Sequence, residues 1–273
     1  MAPNRITRKL RENDQARVGT LLPYFTAGFP DTQTTSSLII EADRLGAGVV
    51  EIGFPFSDSI ADGPVIQESF HYALRRGHRV EDAFRLVAEV RPRVACGLVA
   101  MVCYSIVSRI GLDRFMDRAA EAGFDGVILP DVPVEEARVT VAAAGRAGLC
   151  HIGLVAPSTS PQRRQAIANA STGFIYQIAS AGTTGERGAL PPGLGDEVRD
   201  LRAVSGLPVC VGFGVSDAEQ VRDICRFASG AIVGSAIIRR IDEAVKAGAD
   251  STRIVEQIGA FLRSLVVGLS PCG

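Results

Sequence analysis

Two carboxylates stand out by position. Glu51 sits inside the apolar run Val49-Val-Glu-Ile-Gly53. An acid there is costly to bury unless paired, and burial raises its pKa toward the range of a general acid. A structural acid paired with an arginine is the competing reading. Asp62 follows eleven residues later in a loop bounded by Gly63 and Pro64. Loop aspartates commonly shape turns, but together the two suggest an acid/base pair over one pocket. Asp58 and Asp131 read as loop-structuring residues.

Other chemistries lack their residues. A Schiff-base route needs a lysine at a reacting centre. The only lysines are Lys9, near the start, and Lys246, in the C-terminal region. Metal-assisted chemistry needs clustered ligands; His71, His78 and His151 are scattered and read as structural. There is no GxGxxG motif or P-loop. Gly212-Phe-Gly-Val-Ser216 and Gly234-Ser-Ala236, however, each lead from an apolar run into a helix-like stretch. Backbone N–H groups at such turns suit an anion, and only glycine lets the backbone come so close. The expected chemistry is carboxylate acid/base work on a phosphorylated small molecule, with no cofactor or metal in this chain.

The elements that must position these groups alternate along the whole sequence. Eight aliphatic or β-branched runs read as strands buried on both faces: 21–25, 49–53, 97–102, 126–129, 152–155, 174–178, 208–211 and 231–233. Helix starts are expected at Asp31, Val80, Pro133, Ser160 and Ser216, the last with Ser as cap. Eight β-then-α units in a chain of 273 residues indicate a (β/α)8 TIM barrel, with an open doubly wound sheet as the alternative. We expect one domain over 1–273. Residues 1–18 would form a helix across the barrel bottom, 19–268 the barrel with its last helix at 252–267, and 269–273 a tail. Barrel active sites lie at the C-terminal strand ends. That rule selects Tyr24, Glu51 and its following loop, Tyr104, Asp131, Pro157-Ser-Thr159, Tyr176, loop 180–188, Gly212–Gly214 and Gly234-Ser235.

Composition narrows the class further. Formal charge is −1 and aromatic content 6%, which offers neither an electrostatic footprint for nucleic acid or a membrane surface nor a base-stacking face. The polar start has no apolar leader region. The most apolar stretch, 96–107, is too short to span a bilayer. Six cysteines form no CxxC pair, and reduced thiols in a cytoplasmic protein are expected.

The segment Glu51-Ile-Gly-Phe-Pro-Phe-Ser-Asp-Ser-Ile-Ala-Asp-Gly-Pro-Val-Ile-Gln67 resembles the signature of the tryptophan synthase α subunit family. Pro23-Tyr-Phe-Thr-Ala-Gly-Phe-Pro-Asp31, Asp131-Val-Pro-Val-Glu-Glu136, Ala181-Gly-Thr-Thr-Gly185 and both glycine turns are similar to its other segments, in the same order. The resemblance implies retro-aldol cleavage of indole-3-glycerol phosphate to indole and glyceraldehyde 3-phosphate, with Glu51 and Asp62 catalytic. It implies that Val102, Tyr104, Ile128, Tyr176, Phe213 and Ile232, with Tyr24, wall the indole. The backbone of Gly185, Gly214, Gly234 and Ser235 would hold phosphate. Loop 180–188 would close as a lid through Gly182, Gly185 and Gly188, bringing Thr184 to Asp62. Indole would pass to a β subunit in an α2β2 heterotetramer, with PLP only in that partner. A stand-alone lyase and a non-catalytic allosteric partner are the competing readings. Three departures stand out. Ser59 replaces the family's usual proline, Tyr104-Ser-Ile-Val107 replaces Tyr-x-Asn-Pro, and Tyr24 stands where Phe is common. The first two, through Ser59 and Ile106, bear on the face toward the β subunit.

Overall fold

The computed structural model describes residues 4–59, 62–179, 190–212 and 214–269. Its strands are β1 Thr20–Thr26, β2 Val49–Gly53, β3 Gly97–Met101, β4 Gly126–Ile128 and β5 Cys150–His151. They continue with β6 Gly153–Val155, β7 Ile175–Ile178, β8 Val209–Gly212 and β9 Gly230–Val233. The larger helices are α1 Arg5–Ala16, α2 Thr32–Arg44, α3 Pro64–Arg75, α4 Val80–Val90, α5 Tyr104–Ile110 and α6 Leu112–Ala122. The second half adds α7 Arg138–Arg146, α8 Pro161–Ala170, α9 Leu194–Ser205, α10 Ala218–Cys225, α11 Ser235–Lys246 and α12 Ser251–Val266.

All recorded strand pairs are parallel, in the order β5-β4-β3-β2-β1-β9-β8-β7-β6. The two ends of that order are joined by one residue, Ile152, whose N–H still donates to Val127 O at 3.0 Å. The fifth strand therefore pairs first with β4 and then, past Ile152, with β7. This changeover brings the ends together and makes the fold a TIM barrel rather than an open sheet. It also corrects the expected fifth strand, which starts at Cys150 instead of Ile152 and is split.

The barrel floor is built around α1. Asn4 caps it by accepting from Ile6 N–H. Ile6 and Leu10 are fully buried. A Cβ on Gly97, Gly126 or Gly173 would meet the Ile6 side chain, so small residues at the strand starts make room for the plug. Asp125, just before β4, ties the floor together. It accepts from Arg5 and Arg91, each at 3.0 Å, and from Leu98 N–H at 2.9 Å.

Several helix starts agree with the sequence reading. Asp31 caps α2 and Ser160 caps α8 through their side chains. Two differ. α7 begins at Arg138, not Pro133, because 133–137 wind through tighter turns (Glu136 N–H to Pro133 O, Ala137 N–H to Val134 O). The cap of α10 is Asp217, not Ser216; Ser216 N–H is instead taken by the Gln220 side chain at 2.7 Å. The last long helix is Ser251–Val266, capped by Asp250. Among the described residues no helix is long and apolar enough to cross a membrane.

Candidate active site

Register brings the key side chains together. Tyr24 on β1 is the Cα partner of Glu51 on β2, and Glu51 that of Val99 on β3. Side chains alternate along a strand, so Met101 shares the parity of Val99, next to Gly53. Two tyrosines enter the barrel where glycine leaves space. A Cβ on Gly53 would collide with the Tyr24 hydroxyl, and one on Gly212 with that of Tyr176. Burial pushes both phenols well above their ordinary pKa, with Glu51 and Asp62 adding to the effect. Both stay neutral.

A cavity with about 580 Å³ of empty space, part of it open to solvent, lies at this end. Glu51 and Asp62 both line it, with Tyr24, Tyr176, Gly214, Ile232, Gly234 and Ser235. Glu51 is 1% exposed, and its Oε1 has no hydrogen-bond partner. Among the described residues no arginine pairs with it, against the structural reading of this acid. Burial alone pushes its pKa up to about 8, so at neutral pH it carries a proton.

Asp62 is half-buried, just before the Gly63 cap and Pro64 at the start of α3. Burial raises its pKa and the Ser59 hydrogen bond opposes that rise. Its Oδ2 accepts from Ser59 Oγ. Gln67, in the first turn of α3, donates to Ser59 O at 2.6 Å and to Asp62 O at 2.9 Å. One amide thus clasps both ends of the short segment that carries the acid.

The adjoining wall, beyond β1, is the start of α11, which follows β9. Gly234, Ser235 and Ala236 line the cavity, and the first N–H groups of a helix have no intrahelical acceptor. An anion is favoured there. Gly214 beside them has φ +89°, a left-handed conformation that suits glycine.

The chain is similar throughout to one set of proteins. The family model described as "Tryptophan synthase alpha chain" matches residues 10–265. The chain belongs to the tryptophan synthase alpha chain family. A relative of that name from Rhodopirellula baltica is 42% identical, covering 90% of this chain and 91% of its own. One from Alkaliphilus metalliredigens is 37% identical, covering 96% and 97%. Among solved structures, the alpha subunit from Legionella pneumophila superposes with TM-score 0.89 at 34% identity, covering 98% of this chain and 99% of that one. A chain of the tryptophan synthase α2β2 complex of Pyrococcus furiosus does so with TM-score 0.81 at 34% identity, covering 92% and 98%.

Of the site residues expected from the family resemblance, Val102, Tyr104 and Ile128 are not among those lining the cavity. Val102 and Ile128 are buried nearby in the barrel wall. Tyr104 opens α5, its N–H held by both oxygens of Asp131 at 2.9 Å, which gives Asp131 the loop role expected of it. Thr184, Gly185, Phe213 and the whole of loop 180–188 lie outside the described residues. The cavity also takes in Val215 and Ala236, from the two glycine turns, and Gly63, Ile66 and Met101, which sequence reasoning missed. Strand alternation could have found Met101 in place of its neighbour Val102. The rest are small or apolar residues in loops and first helical turns, with no distinguishing signal. The three histidines sit elsewhere: His71 Nε2 meets Ser57 O at 3.1 Å, His151 packs beside Thr140, and His78 is partly buried against Gly28. Among the described residues no cluster of three or more His, Cys, Asp or Glu could hold a metal ion.

Proposed function

We propose that this chain is a carbon–carbon lyase that cleaves indole-3-glycerol phosphate to indole and glyceraldehyde 3-phosphate. The observation that carries the reading is Glu51, a buried, unpartnered carboxyl facing the same cavity as Asp62, in a member of the tryptophan synthase alpha chain family. The bond to indole C3 breaks readily only after that carbon is protonated. Glu51, holding a proton at neutral pH, supplies it and becomes a carboxylate. The indole ring is then a cationic indolenine. Asp62 accepts its N–H and stabilises the positive charge, a charge-assisted bond that contributes about 1.5–3 kcal/mol. The Glu51 carboxylate next takes the proton of the glycerol hydroxyl. The C–C pair returns to the ring as the aldehyde forms, and Glu51 is restored as an acid. A pKa near 8 suits both transfers.

The apolar walls, Tyr176 and Ile232 with Tyr24 above Glu51, suit the indole. The backbone at Gly214, Gly234 and Ser235 suits the phosphate, with Gly185 as a further contributor. Val102, Tyr104, Ile128 and Phe213 complete the proposed pocket when substrate is bound. The proposed partner is a tryptophan synthase β subunit in an α2β2 assembly, which carries PLP; this chain needs no cofactor for the steps above. The barrel at 19–268 is read as one domain acting in the cytoplasm.

The test is to incubate the purified chain with indole-3-glycerol phosphate and measure indole and the aldehyde, alone and with the β subunit from the same organism. Release in equal amounts, strongly accelerated by the β subunit, is expected. No cleavage under either condition would overturn the reading. Full activity without the β subunit would remove the partner from it.

A further inference from the structure

Asp62 meets two demands at once: it must stay ionised in a half-buried place, and it must point one way from within a loop. The neighbours that meet them come from different parts of the chain. Ser59 is 4% exposed and donates its hydroxyl to Asp62 Oδ2. Behind it, the Cys103 thiol donates to Ser59 Oγ at 3.9 Å. Cys103 is itself buried, and its thiol is pushed up to about 11 by burial and by the nearby Asp131, so it stays a donor at any working pH. A hydroxyl that accepts from the thiol has its own hydrogen free for the carboxylate. Gln67 holds the carbonyls of Ser59 and Asp62, which fixes the distance between them. Among the described residues nothing donates to Asp62 Oδ1.

We infer that Ser59 is a positioning residue for the proposed cleavage: its hydroxyl, oriented by Cys103 and clasped through Gln67, locks Asp62 with one oxygen occupied and the other free for substrate. The inference rests on the proposed role of Asp62. It also gives the departure at this position a physical meaning. Proline would stiffen the loop through its ring but could donate nothing to the acid. Serine gives up that stiffness and supplies a donor, and the Gln67 clasp and Cys103 contact supply the restraint instead. The geometry is specific to a chain with Ser59, Asp62, Gln67 and Cys103 together.

The acid limb of the kcat/KM profile reports the arrangement, because Asp62 must be ionised to accept the indole N–H. Ser59→Ala removes the bond that favours the charged form. The Asp62 pKa then rises, and the acid limb should move up by about one pH unit, with kcat down about fivefold. Ser59→Thr, which keeps a hydroxyl, should restore most of both. Cys103→Ala removes only the orienting contact and should shift the limb the same way by about 0.3 unit. All variants are measured in the full chain with its β subunit, alongside Asp62→Asn. If Asp62→Asn loses activity while Ser59→Ala keeps the wild-type acid limb, Ser59 is a loop filler and the inference fails alone. If Asp62→Asn keeps normal turnover, the proposed role of Asp62 fails and the inference falls with it.

Discussion

Among the described residues two acids, Glu51 and Asp125, are fully buried, and their surroundings are opposite. Asp125, on the N-terminal rim, is 5% exposed and held by Arg5, Arg91 and Leu98 N–H. Arg91 is in turn fixed by Val94 O at 2.6 Å and Cys96 O at 2.9 Å. Glu51, facing the cavity at the other end, is 1% exposed and has an oxygen with no partner among the described residues. The floor uses its acid to join strands and helix. The cavity leaves its acid unsatisfied, and an unsatisfied buried acid keeps its proton. Similar burial therefore gives a structural residue at one end and a proton donor at the other. The difference lies in the partners.

The contrast is broken most sharply at Glu51. Glu51→Gln should lower kcat by about 10³, since positioned acid/base groups contribute 10²–10⁴. The same change should stabilise the fold. The folded pKa of Glu51, about 8, lies above its ordinary value, so the stability it contributes is fully present below the unfolded pKa and is lost as pH rises through the folded one. Urea midpoints should thus show E51Q gaining on the wild type from pH 5 to pH 8, by on the order of 3 kcal/mol across that window. A gap that narrows with pH would mean Glu51 is ionised and paired. In the wild type, kcat/KM should fall above about pH 8 as Glu51 loses its proton.

Asp125→Asn should do the reverse. It leaves Arg91 buried beside a neutral side chain, and losing one partner of a buried pair costs about 3–5 kcal/mol. Denaturant midpoints should drop accordingly, while kcat of the folded fraction stays within about threefold, as expected for a group remote from the cavity. A large loss of kcat with little loss of stability would show the floor and the site to be coupled.

The sequence shows the two acids unequally. Glu51 was legible because an acid in a β-branched run is costly without a purpose. Tyr24 and Tyr176 were legible as polar tips at strand ends, once eight repeating units had pointed to a barrel. Asp125 offered no such mark, because its meaning depends on Arg5 and Arg91, which are distant in the chain. The split of the fifth strand was equally hidden: the change of partner at Ile152 is decided by neighbouring strands. At α10, Ser216 and Asp217 are both good caps, so local preference could not choose between them. The Ser59–Asp62–Gln67 clasp depends on the path of a loop, which spacing alone does not reveal.

The smallest effect, and the finest test of the contrast, concerns Tyr24. Its hydroxyl is buried without a hydrogen-bond partner among the described residues. Thr26 lies beside it, but its Oγ1 turns to Ser69 Oγ at 2.6 Å, to which it donates because Ser69 gives its own hydrogen to Ile66 O, and the tyrosine hydroxyl is left outside hydrogen-bond geometry. Gly53 leaves the space it occupies. An unpaired buried hydroxyl costs roughly 1 kcal/mol or more, so Tyr24→Phe should raise stability by about that amount. If the hydroxyl is merely tolerated, kcat stays within about threefold by the same reasoning as for a lost neutral contact. If kcat falls about tenfold or more while stability rises, as general for groups used only in the transition state, the hydroxyl belongs with Glu51. It would then be a second polar group kept unpaired for substrate, and the rule separating the two ends of the barrel would extend from acids to neutral donors.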